Sequence, residues 1–357
     1  MLHAVIMAGG SGTRFWPQSR KRMPKQLLSL ARQETLIQQT VTRCQPWVPA
    51  ERVFVVTNAA QVEQTREQLP QLPSDHFLVE PCGRNTAPCV GLAALELVRR
   101  DPDAIMLVMP ADHVIRPIEV FRDAVERAVG LVDENSRRLV LFGVAPTYPA
   151  TGFGYIEQSD SLGRVRGGFQ VASFREKPDL ETAREYVQRG TFFWNCGIFV
   201  WRASRILDAI RDHEPDLHAG LMRLSESLGT DRWPEALTEQ FPKLKSISID
   251  YAVLERASDV CVVEAPFEWD DVGSWQALPR LLGSDEQGNT IDGPFCGIDT
   301  HGCIVRTTSD HLVATAGLTD CIVVHTPDVT LVARKGDEDA VRQLVALAER
   351  QGLSRFL

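Results

Sequence analysis

The stretch VIMAGGSGTRFWPQSRKRMPKQ, residues 5–26, sets the reading of the whole chain. An apolar run ends in Gly9, Gly10 and Gly12, then comes Arg14, then a basic segment closed by Pro24 and Lys25. Glycines lack Cβ atoms, so a loop of this kind turns sharply and brings its N–H groups close to phosphate oxygens. It matches neither familiar phosphate loop. A GxGxxG read from Gly10 wants glycine where Phe15 stands, and no Gly-Lys-Ser/Thr triplet closes the turn. Arg14 can fork onto two phosphate oxygens, and Lys25 adds a second charge on the same side if the loop folds back. Arg20, Lys21 and Arg22, between them, read as a solvated basic surface.

Working outward, the first 150 residues alternate strand-like and helix-like segments. Strands are expected at 3–8, 52–58, 76–81, 104–112 and 138–146, several of them continuous apolar runs of the kind buried on both faces. Amphipathic helices are expected between them, at 36–44, 85–100 and 120–132. Repeated β-α-β units with short connections imply a mostly parallel sheet covered by helices, with ligands at the carboxyl ends of its strands. The glycine loop and the PAD of 110–112 both sit at such ends. From 151 to about 280 short strands mix with helices, including one over 179–190, as in an insertion that adds a second wall to a site. The turn-rich GSDEQGNTIDG at 283–293 marks a boundary. Short strand-like pieces follow and hint at a small repetitive β unit, closed by a helix over roughly 337–351.

Composition narrows the classes. The 357 residues are 44% hydrophobic and 24% charged, ordinary for a soluble globular protein. A formal charge of −9 argues against a broad nucleic-acid-binding face. No apolar stretch is long enough to span a bilayer. The start MLHAVIMAGG lacks the features of a signal peptide, and the eight scattered cysteines form no CxxC pair, so reduced thiols and a cytoplasmic location are expected.

AGGSGTRFWPQSRKRMPKQ resembles the signature of the sugar-nucleotide pyrophosphorylases, nucleotidyltransferases that join a sugar 1-phosphate to a nucleoside triphosphate. The details RFWP and PKQ narrow the resemblance toward the guanylyltransferases of mannose 1-phosphate. EPCGRNTAP (80–88), MPADHVI (109–115), TGFGYIE (151–157), REKP (175–178), FWNCGIFVW (193–201), SIDYAVLE (248–255) and EWDDVGSW (268–275) follow in the same order. The resemblance implies a Rossmann-like α/β catalytic domain over 1–282, with base binding in about 1–150 and sugar binding in about 151–282. It implies a small β-rich domain over 283–357 with a terminal helix, for which a left-handed β-helix is one form. The implied substrates and products are GTP, mannose 1-phosphate, GDP-mannose and diphosphate, with magnesium as cofactor. A homodimer is a further implication, and nucleic acid and membrane are not expected partners.

The same resemblance distributes roles. Nucleotidyl transfer brings two anionic groups together, so it needs hard cations and fixed positive charge. The metal aspartates are expected at Asp112 and Asp271, with the neighbouring Asp270 pointing away along an extended segment. Arg14 and Lys25 serve the reacting phosphates, and Gly9, Gly10, Gly12 and Thr13 the nucleotide. Asn85 is assigned to the base, with Gly83 allowing close approach. Thr57 is a further nucleotide candidate that reads equally well as a helix cap. Lys177 is expected on the sugar phosphate, Glu176 on sugar hydroxyls, and Asn195 and the backbone of Gly154 beside them. His113 reads as structural, since a sugar phosphate is already an anionic nucleophile. The chain also lacks the isomerase extension of longer relatives, so isomerase activity is not expected. Two rival readings are the same chemistry on another pair of substrates, and a non-catalytic GDP-mannose sensor. A sensor would be expected to lose Arg14, Lys25 or a metal aspartate, and all are present.

Overall fold

The computed structural model describes every residue except 11, 31, 32, 164 and 338, so Ser11 of the glycine loop lies outside the described residues. The main sheet and its neighbours are built from β1 (Leu2–Met7), β2 (Val53–Asn58), β3 (Phe77–Glu80), β4 (Ile105–Pro110), β5 (Val114–Arg116), β6 (Leu139–Val144), β7 (Gly154–Ser161), β8 (Gly168–Arg175), β9 (Phe192–Arg202), β10 (Val260–Glu264) and β11 (Glu268–Asp270). Nine of these form one sheet in the order β3-β2-β1-β4-β9-β6-β10-β8-β7. The four strands from β3 to β4 are parallel, as their apolar runs imply. Beyond them β9 runs antiparallel between β4 and β6, and β7 and β8 add an antiparallel hairpin at the far edge. The sheet is therefore mixed, with its parallel character concentrated in the N-terminal half.

Burial explains why continuous apolar runs became these strands. Along β4 alternate residues enter opposite layers: Met106 and Val108 join one core, Ile105, Leu107 and Met109 the other. The helix Thr86–Arg100 covers the first face and the helix Ile118–Glu134 the second. The helix Leu36–Cys44 starts on a capping box, with the Thr35 hydroxyl accepting from the Gln38 backbone N–H and Gln38 returning to Thr35.

The C-terminal region adds β12 (Thr290–Asp292), β13 (Phe295–Ile298), β14 (Ile304–Arg306), β15 (Val313–Ala316), β16 (Cys321–His325) and β17 (Thr330–Arg334), followed by the helix Ala340–Arg350. β12, β14 and β16 stack in parallel on one side, with β17 antiparallel at the end, and β13 pairs in parallel with β15 on another. The repetitive unit expected from sequence is thus a short parallel coil.

This coil does not hang free. Ile304, Ile322, Val324, Leu331 and Val341 share one buried cluster with Phe15 of the glycine loop and with Trp275 and Leu278. Of the basic run expected as solvated surface, Lys21 and Arg22 are exposed as read, while Arg20 and Lys21 also reach across to the C-terminal region. Arg20 pairs with Asp328 at 2.7 Å and also donates to the Phe356 carbonyl, Lys21 pairs with Glu349 at 2.8 Å, and the Trp16 indole donates to the Phe356 carbonyl at 2.7 Å. Sequence could not show this because the acidic partners lie more than three hundred positions away.

Because the cluster is shared, Ile304→Ala is expected to cost about 2–5 kcal/mol and to shift one common unfolding transition in calorimetry. Two transitions separating in the variant would show that the coil and the glycine loop fold independently.

Candidate active site

The loop's first requirement is to fold back, and Gly12 lets it. Gly12 has φ of +58°, and a Cβ there would lie 2.5 Å from the Lys25 backbone nitrogen. Buried glutamines hold the turn from beneath: Gln26 donates to the Ala8 carbonyl at 2.8 Å, and Gln61 to the Gly10 carbonyl at 3.1 Å. Lys25 is thereby buried to 7% exposure with its ammonium 2.8 Å from Asp112 and donating to the Asp271 carbonyl at 2.6 Å. Arg14, exposed in the cleft, donates to the Gly273 carbonyl at 3.3 Å.

Sheet topology brings the two aspartates together. β1 and β4 end side by side, Met7 opposite Pro110, which puts Asp112 next to the glycine loop. β11 pairs antiparallel with β5, Asp270 opposite Val114, which delivers Asp271 to the same place. Asp270 faces away as expected, paired with Arg280 and accepting from the Val272 N–H at 2.7 Å. Asp112 is pulled upward by burial, but Lys25 and His113 outweigh that and leave it below the ordinary carboxylate value. Burial, then the nearby Asp270 and Asp112 charges, push Asp271 up despite Lys25. Two carboxylates repelling across a gap suit a divalent cation.

Three clefts meet here. Gly12, Thr13, Arg14, Lys25, Asp112, His113, Asp271, Gly273 and Arg342 line a polar cleft of about 400 Å³. A second, of about 330 Å³, is lined by Gly9, Gly10, Gln26, Glu80, Gly83, Asn85 and Asp112, among others. A third, of about 220 Å³, is lined by His113, Gly154, Glu176, Asn195, Asp250, Trp269 and Asp271, among others. Asp112 is common to the first two; Asp271 and His113 are common to the first and third.

The second cleft contains a group that the sequence reading passed over. Glu80, at the end of β3, is 4% exposed, and its Oε1 has no hydrogen-bond partner among the described residues. Burial pushes its pKa up to about 8. Gly9 leaves room for it, since a Cβ there would stand 3.2 Å from Oε2. Asn85 caps the helix Thr86–Arg100, its side-chain oxygen accepting from the Thr86 N–H at 2.8 Å, which leaves the amide donors for a ligand. Gly83 is exposed at the rim. Thr57 is not brought into any of the three clefts: fully buried in β2, it donates to the Ala8 carbonyl at 3.3 Å and neither faces a ligand nor caps a helix.

In the third cleft Glu176 Oε2 is buried and without a hydrogen-bond partner among the described residues, and a Cβ on Gly154 would lie 2.5 Å from it. Asn195 donates to Asp250 at 3.0 Å and accepts from the Gly197 N–H at 3.1 Å, so it holds Asp250 in place. Asp250, also unforeseen from sequence, opens a π-helical turn over Asp250–Leu254, and burial with Glu176 nearby pushes its pKa up to about 6. Lys177 is not among the lining residues; its exposed side chain pairs with Glu176 at the rim. His113 accepts from the Trp269 indole N–H through Nδ1 at 3.1 Å, and burial lowers its pKa to about 4, so it is neutral while lining the first and third clefts. The eight cysteines are all unpaired.

Residues 3–287 match the model of the nucleotidyl transferase family, and residues 293–347 that of the MannoseP isomerase/GMP-like beta-helix domain. The chain belongs to the nucleotidyl transferase family. Among its relatives, the alginate biosynthesis protein AlgA of Pseudomonas putida is 39% identical over 99% of this chain and 72% of that protein. The mannose-1-phosphate guanylyltransferase ManC of Salmonella typhimurium is 39% identical over 98% of this chain and 73% of its own length. A crystal structure from Thermus thermophilus, described as a mannose-1-phosphate geranyltransferase, superposes with a TM-score of 0.87 at 34% identity, covering 98% of this chain and 99% of that one. The mixed sheet and the β-helix coil are thus family architecture. No helix among the described residues is long and apolar enough to cross a membrane.

Glu80 makes a pH signature in this nucleotidyltransferase. Between its ordinary value of 4.5 and about 8 the native state keeps a proton that the unfolded chain has lost, so Glu80 makes stability fall as pH rises through that window. Asp250 acts in the same sense from 3.8 to about 6. Glu80→Gln is expected to flatten the decline above pH 6 in urea titrations. An unchanged slope would show that Glu80 is ionised in the folded protein.

Proposed function

We propose that this chain is a mannose-1-phosphate guanylyltransferase that catalyses GTP + α-D-mannose 1-phosphate ⇌ GDP-mannose + diphosphate. The observation that carries this reading is the meeting of three clefts at Asp112 and Asp271, with Lys25 held between them. One cleft suits a base, one a polyhydroxyl sugar, and the cationic one phosphates. The α-phosphorus belongs at their junction.

Base selection falls on Glu80 and Asn85. A buried carboxylate acceptor matches the N1–H and 2-amino donors of guanine, which uracil and thymine do not present side by side. Those donors would favour the ionised form of Glu80, offsetting the burial that raises its pKa. The Asn85 amide N–H donors suit the guanine carbonyl. On the sugar side, Glu176 and Asp250 accept from hydroxyls. The arriving sugar phosphate takes Lys177 from Glu176, which frees that carboxylate for the sugar.

Asp112 and Asp271 fit magnesium, a hard ion that takes one or two carboxylates and completes its shell with phosphate oxygens and water. When bound there, the ion supplies charge neutralisation for the phosphates. Lys25 holds the reacting phosphate at the junction, and Arg14 meets the charge that develops on the departing diphosphate. The sugar phosphate oxygen attacks the α-phosphorus in line. It needs no general base, in keeping with a neutral His113 tied to Trp269.

Purified protein with GTP, mannose 1-phosphate and magnesium is expected to release diphosphate, with GTP preferred over ATP, UTP and dTTP in a panel. Asp112→Asn should lower turnover by at least about a hundredfold while leaving the far-UV spectrum unchanged. Near-normal turnover in that variant would remove Asp112 from the metal site. Glu80→Gln is expected to lose the preference for GTP over ATP, and a retained preference would reassign base reading.

A further inference from the structure

We propose that Arg342, carried by the C-terminal β-helix unit, binds the departing diphosphate, so that this unit supplies part of the active site. The inference rests on the guanylyltransferase reading above and deepens it.

Among the described residues Arg342 is the one residue of the C-terminal region that lines the phosphate cleft. Its placement is enforced by its neighbour. Val341 is 4% exposed and buried in the cluster that holds Phe15, Trp275 and Leu331, which pins the first turn of the helix Ala340–Arg350 against the turn Thr13–Phe15. One position further round the helix, Arg342 comes out of that cluster and into the cleft. Among the described residues its ion pair is with Asp339 at 3.4 Å, and the side chain is 51% exposed. A long, half-exposed pair of that kind is weak, so the guanidinium is available to a stronger anion.

The partition of the clefts says which phosphates it meets. Asp112 is shared with the base cleft, and Asp271 and His113 are shared with the sugar cleft. Thr13, Arg14 and Arg342 line only the phosphate cleft, away from both. With the α-phosphorus at the junction, in-line displacement sends the leaving group into the part of the cleft that belongs to neither base nor sugar. The other cations there are partly committed: Lys25 to Asp112 and the Asp271 carbonyl, Arg14 to the Gly273 carbonyl. Arg342 adds a forked donor set that matches phosphate oxygens and neutralises charge on diphosphate as it departs.

GDP-mannose lacks the phosphates that Arg342 would touch, and this separates the proposal from a structural role. In full-length protein, Arg342→Met is expected to raise KM for GTP in the forward direction and KM for diphosphate in the reverse direction about tenfold, one charge-assisted hydrogen bond's worth. KM for GDP-mannose, KM for mannose 1-phosphate and the melting temperature should stay as in the parent, and Arg342→Lys should recover part of the loss. An unchanged KM for diphosphate overturns the proposal, as does an equal rise in KM for GDP-mannose. Calorimetric titration with magnesium diphosphate reads the same contact without turnover, with binding expected about tenfold weaker in Arg342→Met. If the parent chain binds diphosphate but makes no GDP-mannose, the guanylyltransferase reading fails while Arg342 is still judged by that titration.

Discussion

The contact on which the site depends is the buried ammonium of Lys25, bridging the Asp112 carboxylate and the Asp271 carbonyl. It ties three distant segments: the glycine loop, the end of β4 and the residue after β11. A buried charge is costly unless paired, so the Lys25 ammonium needs these acceptors. The loop therefore has a strong reason to fold back, and Gly12, at positive φ against the Lys25 backbone, has the conformation that permits it. Everything that approaches the α-phosphorus is placed relative to this bridge.

The same loop is gripped from the other side. Phe15 sits in an apolar cluster to which Ile304, Ile322, Val324 and Leu331 of the C-terminal coil contribute, and Arg20 and Lys21 reach acidic residues of the C-terminal region. A mobile glycine loop would spend binding energy on ordering itself around a triphosphate. Here the ordering is done by burial of Phe15, Trp275 and Val341, before any ligand arrives. The β-helix coil thus acts on the chemistry first as a brace.

Four of the carboxyl groups lining the three clefts show how environment divides labour within one residue class. Asp112 sits low because Lys25 faces it, whereas Glu80 is raised by burial and Asp271 and Asp250 by burial and by neighbouring acids. The low one is ready to meet a cation. Among the described residues Glu80 and Glu176 each keep an oxygen without a partner, and an unpartnered buried acceptor is costly until a ligand's donors satisfy it. Those two oxygens are where guanine and sugar specificity can be built.

The sequence alone determined the strands, because burial on both faces writes continuous apolar runs, and it singled out Gly12, Arg14 and Lys25 by local pattern and Asp112, Asp271 and Glu176 by family resemblance; all six line the clefts. Only the tertiary structure decided the rest. Thr57, read equally as a nucleotide contact or a helix cap, is fully buried in β2, and Lys177, expected on the sugar phosphate, is paired with Glu176 at the rim of the third cleft. Glu80 and Asp250 became site residues because burial stripped their carboxyls of water, and burial is a property of packing that no short pattern records. Arg342 and the basic run carry charges like many others on this surface. What distinguishes them is which distant segment the folded chain sets opposite, and that depends on contacts spanning hundreds of residues.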